Sequence, residues 1–276
     1  MKKNSGLLKV VIAAAALVIA HFISNWLMLA LIILLIAFLI YSKRDYYYYS
    51  KAIKCYSKRD FSESIKWLEK AYSLKKCSKK IKMLYGFLLL RDRQLDKAEE
   101  VITPLLNENI NNDERLKLKS YLALIIWQRG NLDEAILRFE EILKGFKTTI
   151  IYSNLGYLLL IKGDIERAYD VNLEAYEFND LDFGVMDNLG CTYYYREEYE
   201  KAKGIYEKLI PKNPQFPDAY YNYALVSLSL GDKEKALDLM NKALDYTTNK
   251  LSVLTKEKVE EKIKEIEEME EVKKEQ

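Results

Sequence analysis

The chain has 276 residues, half of them apolar or aromatic, enough to bury one large core or two small ones. Its 43 basic and 41 acidic side chains leave a net charge of +2, so composition points neither to nucleic acid nor to an acidic substrate. The single histidine lies in an apolar N-terminal run, which excludes histidine catalysis and histidine metal sites from the rest, and no phosphate-loop or dinucleotide fingerprint is present.

That run comes first in chain order. From Leu7 to Tyr41 the only charge is Lys9, and its 35 residues in one helix would extend about 52 Å against about 30 Å of bilayer hydrocarbon. The polar cluster His21, Ser24 and Asn25 divides it, which predicts two short helices, 7–23 and 26–41, forming an N-terminal transmembrane hairpin within residues 1–42. Lys2, Lys3 and Lys9 precede the pair and Lys43, Arg44, Lys51 and Lys54 follow it. Basic flanks stay on the cytoplasmic side, so both ends are expected there, with His21 and Trp26 at the far interface. One tilted signal-anchor helix with the remainder outside is the alternative.

Charge is uneven along the chain: +3 over residues 1–42, +9 over 43–82 and −10 beyond. Lys43, Arg44, Lys51, Lys54, Lys58, Arg59, Lys75, Lys76, Lys79 and Lys80 are expected to form a basic patch at the membrane surface, where anionic lipid attracts each Lys or Arg by about 1 kcal/mol. No groove-reading motif accompanies them, so nucleic acid is not an expected partner. Cys55, Cys77 and Cys191 have no CxxC spacing and an odd count, which reads as thiols in a reducing compartment, with Cys55 packed as a small hydrophobe.

Beyond residue 45 the sequence repeats. Small residues recur at Ala52, Gly86, Ala123, Gly156, Gly190 and Ala224, separated by 34, 37, 33, 34 and 34 residues. Twelve residues after each stands Ser64, Ala98, Ala135, Ala168, Ala202 or Ala236, and seven further on Ala71, Leu105, Ile142, Ala175, Leu209 or Ala243. Two helices joined by a short turn approach closely only where side chains are small, so these positions mark crossings. Turn glycines fall between the helices at Gly130, Gly163 and Gly231, and Pro211, Pro214 and Pro217 punctuate the loop before the last unit.

This pattern resembles the tetratricopeptide repeat family, whose motif is matched best by Leu189, Gly190, Tyr193, Tyr199, Ala202, Tyr206, Leu209 and Pro214. The resemblance covers roughly residues 46–246 and implies an all-α, right-handed α-solenoid of about six TPR helix-turn-helix units. Their expected bounds are about 45–78, 79–112, 116–148, 149–181, 183–216 and 217–246. Three departures stand out: Asn172 where the family favours an aromatic, Ser64 in place of Ala, and a stretched spacing around Asn107 to Asp113. Residues 247–276 are read as a capping or projecting helix, with Val253, Leu254, Val259, Ile263, Ile266 and Met269 at roughly helical spacing and a frayed tail.

Stacked first helices would line a concave groove, reached by residues two before and one, four and five after each small residue. Asn154, Asn188 and Asn222 form a row there, with Tyr157, Leu160, Tyr194, Tyr195, Leu228 and Trp127 beside it. In the superhelices that the chain resembles, such asparagines hydrogen-bond the backbone of a bound peptide; supporting the fold is the competing use. Aromatics make strong anchors when a groove desolvates them. No Lys or Arg joins the asparagines, so a clamp for a C-terminal carboxylate is not expected. Adjacent pairs such as Glu99-Glu100, Glu140-Glu141 and Glu197-Glu198 point about 100° apart on a helix and read as solvated faces.

The function expected is therefore a membrane-anchored scaffold that binds a peptide or helix of a protein partner in its groove, without enzyme activity, cofactor or metal. A structural subunit that self-associates is the competing reading. Abundant Lys, Ile, Asn and Tyr suit an AT-rich bacterial genome, which makes the bacterial cytoplasmic membrane the expected location, with the repeats facing the cytoplasm.

Overall fold

The computed structural model describes residues 4–23, 25–75, 77–246 and 253–274, and every regular element among them is helical. Lys2, Lys3, Ser24, Lys76 and the end of the tail, all invoked above, lie outside the described residues, as does the side chain of Met269. The chain divides into two compact units, 1–85 and 86–276.

The first unit contains α1 (Asn4–Ile23), α2 (Asn25–Ser42), α3 (Arg44–Ser57), α4 (Phe61–Tyr72) and the start of α5 (Lys79–Arg91). α1 packs on α2, and α3 on α4. Among the described residues, no helix is long and apolar enough to cross a membrane, so the expected transmembrane hairpin is not supported as a pair of spans. α1 carries Lys9 and His21 within its 20 residues, and the 18 residues of α2 rise about 27 Å at 1.5 Å per residue, against about 30 Å of hydrocarbon.

Asp60 starts α4 by accepting the Glu63 backbone N–H at 3.0 Å, which satisfies one of the free amides of the first turn. The Ser64 hydroxyl donates 2.9 Å to the Ala52 carbonyl, so serine at this crossing replaces alanine with a buried hydrogen bond between the paired helices. Cys55 is half-buried, short of the core position expected for it.

The second unit continues α5 and adds α6 (Leu95–Ile102), α7 (Asn112–Gln128), α8 (Leu132–Gly145), α9 (Thr149–Lys162), α10 (Ile165–Phe178), α11 (Phe183–Tyr195), α12 (Tyr199–Leu209), α13 (Pro217–Ser229), α14 (Lys233–Leu244) and α15 (Lys256–Lys274). α7 pairs with α8, α9 with α10, α11 with α12 and α13 with α14. Each second helix packs on the next first helix, and α11 touches both α9 and α13, so these first helices stand side by side. The stretched spacing has a local cause: Pro104 ends α6 in a 3-10 turn at Thr103–Asn107, and a capping box between Asn111 and Glu114 restarts the chain as α7.

Helix crossings are as tight as the small residues require. An added Cβ at Gly190 would lie 2.7 Å from the Tyr206 ring, and one at Gly156 would lie 1.7 Å from Asn172 Oδ1. Asn172 thus fills the aromatic's place, and its Nδ2 donates 2.9 Å to the Thr192 hydroxyl.

Each turn between paired helices uses one left-handed residue seven positions after the small one. Glycine serves at Gly130, Gly163 and Gly231, whereas Arg59, Arg93 and Glu197 adopt φ of 60–61° without being glycine. A left-handed non-glycine residue costs roughly 1–2 kcal/mol, which the packing on either side of the turn must offset.

Candidate protein-binding groove

The site is built on α9, α11 and α13. Thr148 and Asp182 cap the first two of these by accepting the N–H groups of Ile151 and Val185, and Pro217 opens the third, where its missing N–H is no loss.

Trp127, at the end of α7, meets Tyr157 edge to face, with ring centroids 5.8 Å apart. One turn further along, Tyr194 contacts both Tyr195 and Tyr199, at 5.4 and 5.9 Å. Tyr195 is exposed, while Tyr157, Leu160, Tyr194 and Leu228 are half-buried. Burial pushes the Tyr194 phenol above its ordinary range, so it remains neutral and available as a hydrogen-bonding aromatic.

The asparagine row is engaged within the protein. Asn188 Nδ2 donates 2.7 Å to the Ser153 carbonyl of α9, and Asn222 Nδ2 donates 3.1 Å to the Asp187 carboxylate of α11. Both bonds bridge neighbouring repeats. Asn154 Nδ2 turns back on its own helix, 2.9 Å from the Ile150 carbonyl.

Two participants were missed in the sequence. Asp187, next to Asn188, is buried and accepts the Tyr206 hydroxyl at 3.1 Å as well as the Asn222 amide. Burial, then the nearby Asp218 charge, pushes its carboxyl up to about 7. A lone carboxylate inside the apolar string Val185-Met186-Asp187-Asn188-Leu189 was the available signal. The second is α15: Leu254, Val259 and Ile266 are buried in one apolar cluster with Leu225, Leu228, Tyr194 and Tyr221. The Val253 N–H donates to the Tyr157 hydroxyl at 3.4 Å. The C-terminal segment therefore lies against the same first helices that carry the groove residues.

The basic residues of the first unit interleave with rings. Arg44 lies 4.0 Å from the centroid of Tyr41, Lys51 5.6 Å from Tyr47 and Lys80 5.4 Å from Tyr49. Lys43, Lys54, Lys58, Arg59 and Lys75 are exposed.

These features define a repeated stack of helix pairs. Residues 188–249 match the family model described as tetratricopeptide repeat. Tetratricopeptide repeat-containing protein trd-1 of Caenorhabditis elegans is 26% identical over 153 residues, 55% of this chain and 19% of that protein. BBSome complex member BBS4 of Bos taurus is 26% identical over 136 residues, 48% of this chain and 26% of that protein. The chain thus spans about a quarter or less of the length of these curated relatives. The crystal structure of a thermophilic TPR protein from Thermus thermophilus superposes with a TM-score of 0.52 at 19% identity, over 62% of this chain and 92% of that one, a likeness of fold.

Proposed function

We propose that the protein is a scaffold that captures a peptide or helix of a partner protein on the face formed by α9, α11 and α13. The observation that carries this reading is the set of Tyr157, Tyr194 and Tyr195 beside Leu160 and Leu228 on neighbouring first helices, half-buried to exposed and held by glycine crossings. Rigid aromatics lose little conformational entropy on binding and dominate interface energies. The asparagines act in this reading as struts: Asn188 and Asn222 hold adjacent first helices at fixed spacing through their amide donors.

A pull-down with the full chain tests it. Replacing Leu160 and Tyr195 together by alanine is expected to lower partner capture at least tenfold with helicity unchanged, since one strong anchor is worth about 2 kcal/mol. Undiminished capture would refute the reading. A second copy of the chain as the captured protein would favour the structural-subunit alternative, with which the exposed Ile150, Phe178 and Leu181 and the complex membership in the name of BBS4 agree.

We further propose that α1 and α2 attach the chain to a membrane surface, with the repeats on the cytoplasmic side of a bacterial membrane. Val10, Ile12, Val18, Ile33, Leu34 and Phe38 are all at least half exposed, an apolar area that water penalises by about 25 cal/mol per Å². The rings and lysines after Tyr41 suit the headgroup layer. In flotation with vesicles containing anionic lipid, the full chain is expected to float and a chain lacking residues 1–42 to stay at the bottom. Equal flotation of the two would contradict the anchor.

A further inference from the structure

The C-terminal helix of unit two turns an apolar stripe onto the repeat stack. α15 presents Val259, Ile263 and Ile266 at positions i, i+4 and i+7, a single stripe along a helix whose other residues, Met269 and Val272 apart, are glutamate and lysine. Val259 and Ile266 are fully buried and Leu254 nearly so, whereas most of the helix surface around them is exposed. The partners are not confined to α14, the preceding helix. α15 packs on α14, and Tyr221 and Leu225 of α13, the other helix of the last pair, share its apolar cluster; beyond that pair, Tyr194 of α11 shares the cluster and Tyr157 of α9 receives the hydrogen bond from Val253, just before α15. A helix that merely covered the end of the stack would touch only the last pair.

Lys262 adds a polar register point. It pairs with Glu265 on its own helix and is half-buried. The segment thus meets the face with an aliphatic stripe against tyrosine and leucine, and one half-buried lysine. This is helix-in-groove recognition, read from anchors at i, i+4 and i+7.

We propose that α15 is a tethered occupant of the binding face, and that a partner engages by replacing it with an amphipathic helix of the same pattern: branched aliphatics at i, i+4 and i+7 and a lysine at i+3. The inference rests on the groove reading above and adds to it the class of ligand and a built-in competitor. A helix on a short tether acts at an effective concentration near millimolar, so a free helix at micromolar concentration meets a closed face. Its apparent affinity falls by the fraction of chains that are open.

The test uses the full chain and a fluorescent peptide of residues 253–274 as probe, with binding read by anisotropy. Val259→Asp with Ile266→Asp should release α15 and bind the peptide at least tenfold more tightly than the wild type. Adding Tyr194→Ala to that opened chain should weaken binding about tenfold. Equal affinity for wild type and opened chain, or no binding by the opened chain, overturns the proposal. Should the double variant fail to fold, Lys262→Glu decides: it leaves the apolar stripe in place and should bind the peptide about threefold more tightly than the wild type, and wild-type affinity overturns the proposal. Partner capture separates the two readings. A peptide-binding opened chain that captures no partner sinks the groove reading alone, whereas a partner captured equally by wild type and opened chain sinks the tethered occupant alone.

Discussion

Gly190→Ala is expected to destabilise the fifth helix pair by about 1–3 kcal/mol, although alanine is the better helix former by about 1 kcal/mol. The new Cβ would sit 2.7 Å from both Cε2 and Cζ of the Tyr206 ring. That ring has nowhere to go. Tyr206 is fully buried, stacks on Tyr223 with centroids 5.3 Å apart, and donates its hydroxyl to the carbonyl and carboxylate of Asp187, each at 3.1 Å. Either the ring moves and these bonds are lost, or α11 and α12 separate. Gly204→Ala on α12 is the control, because a Cβ there meets nothing within 4 Å, and it should stabilise by up to about 1 kcal/mol. Urea unfolding of both variants measures the pair. Two equal stabilities would mean that close approach at Gly190 does not set the crossing.

The same crossing explains what could be read in advance. Gly156, Gly190 and Ala224 recur because the first helix must come close to side chains of its paired helix there, the Asn172 amide at Gly156 and the Tyr206 ring at Gly190, and a steric need of that kind leaves a fixed spacing in the sequence. Left-handed turn positions were legible only where glycine occupies them. Arg59, Arg93 and Glu197 do the same work without the residue type that announces it, and only their distance of seven from each small residue could have pointed to them. The asparagines were visible as a row, but their spacing could not say whether the amides face a ligand or the neighbouring helix, since both uses need the same polar group at the same place. α15 was legible as an amphipathic helix and illegible as an occupant of the inner face. Its stripe fixes that it must be buried, while the surface it covers depends on a chain reversal that local pattern does not encode. The hairpin shows the opposite failure. Its apolar composition was plain and α1 and α2 run over the two expected stretches, but among the described residues no helix is long and apolar enough to cross a membrane.

Asp187→Asn is expected to leave stability little changed at pH 4 and to raise it at pH 8, by on the order of 2–4 kcal/mol, at 1.36 kcal/mol per unit of pKa shift. In the folded chain its carboxyl is pushed up to about 7 from an ordinary 3.8, chiefly by burial and then by the Asp218 charge, against the opposing pull of hydrogen bonds from Asn222 and Tyr206. The sign follows from proton counting. Between those two values the folded state holds a proton that the unfolded chain has released, so stability is greatest below about pH 4, falls as pH rises, and levels off once the native carboxyl ionises near 7. Asparagine presents the same Oδ1 acceptor to Tyr206 and Asn222 and never ionises, so the difference between variant and wild type must itself depend on pH. Urea unfolding of both chains at pH 4 and pH 8 isolates it, because other titrating groups cancel in the difference. A gain independent of pH would show that Asp187 carries no buried charge. The position gives the result a bearing on binding: Asp187 accepts the amide that ties α13 to α11 through Asn222, and the ionisation near neutrality that strengthens this bond comes only after the fold has lost stability between about pH 4 and 7. The spacing of the tyrosine face and the stability of the repeats that carry it are therefore set against one another by one buried carboxylate.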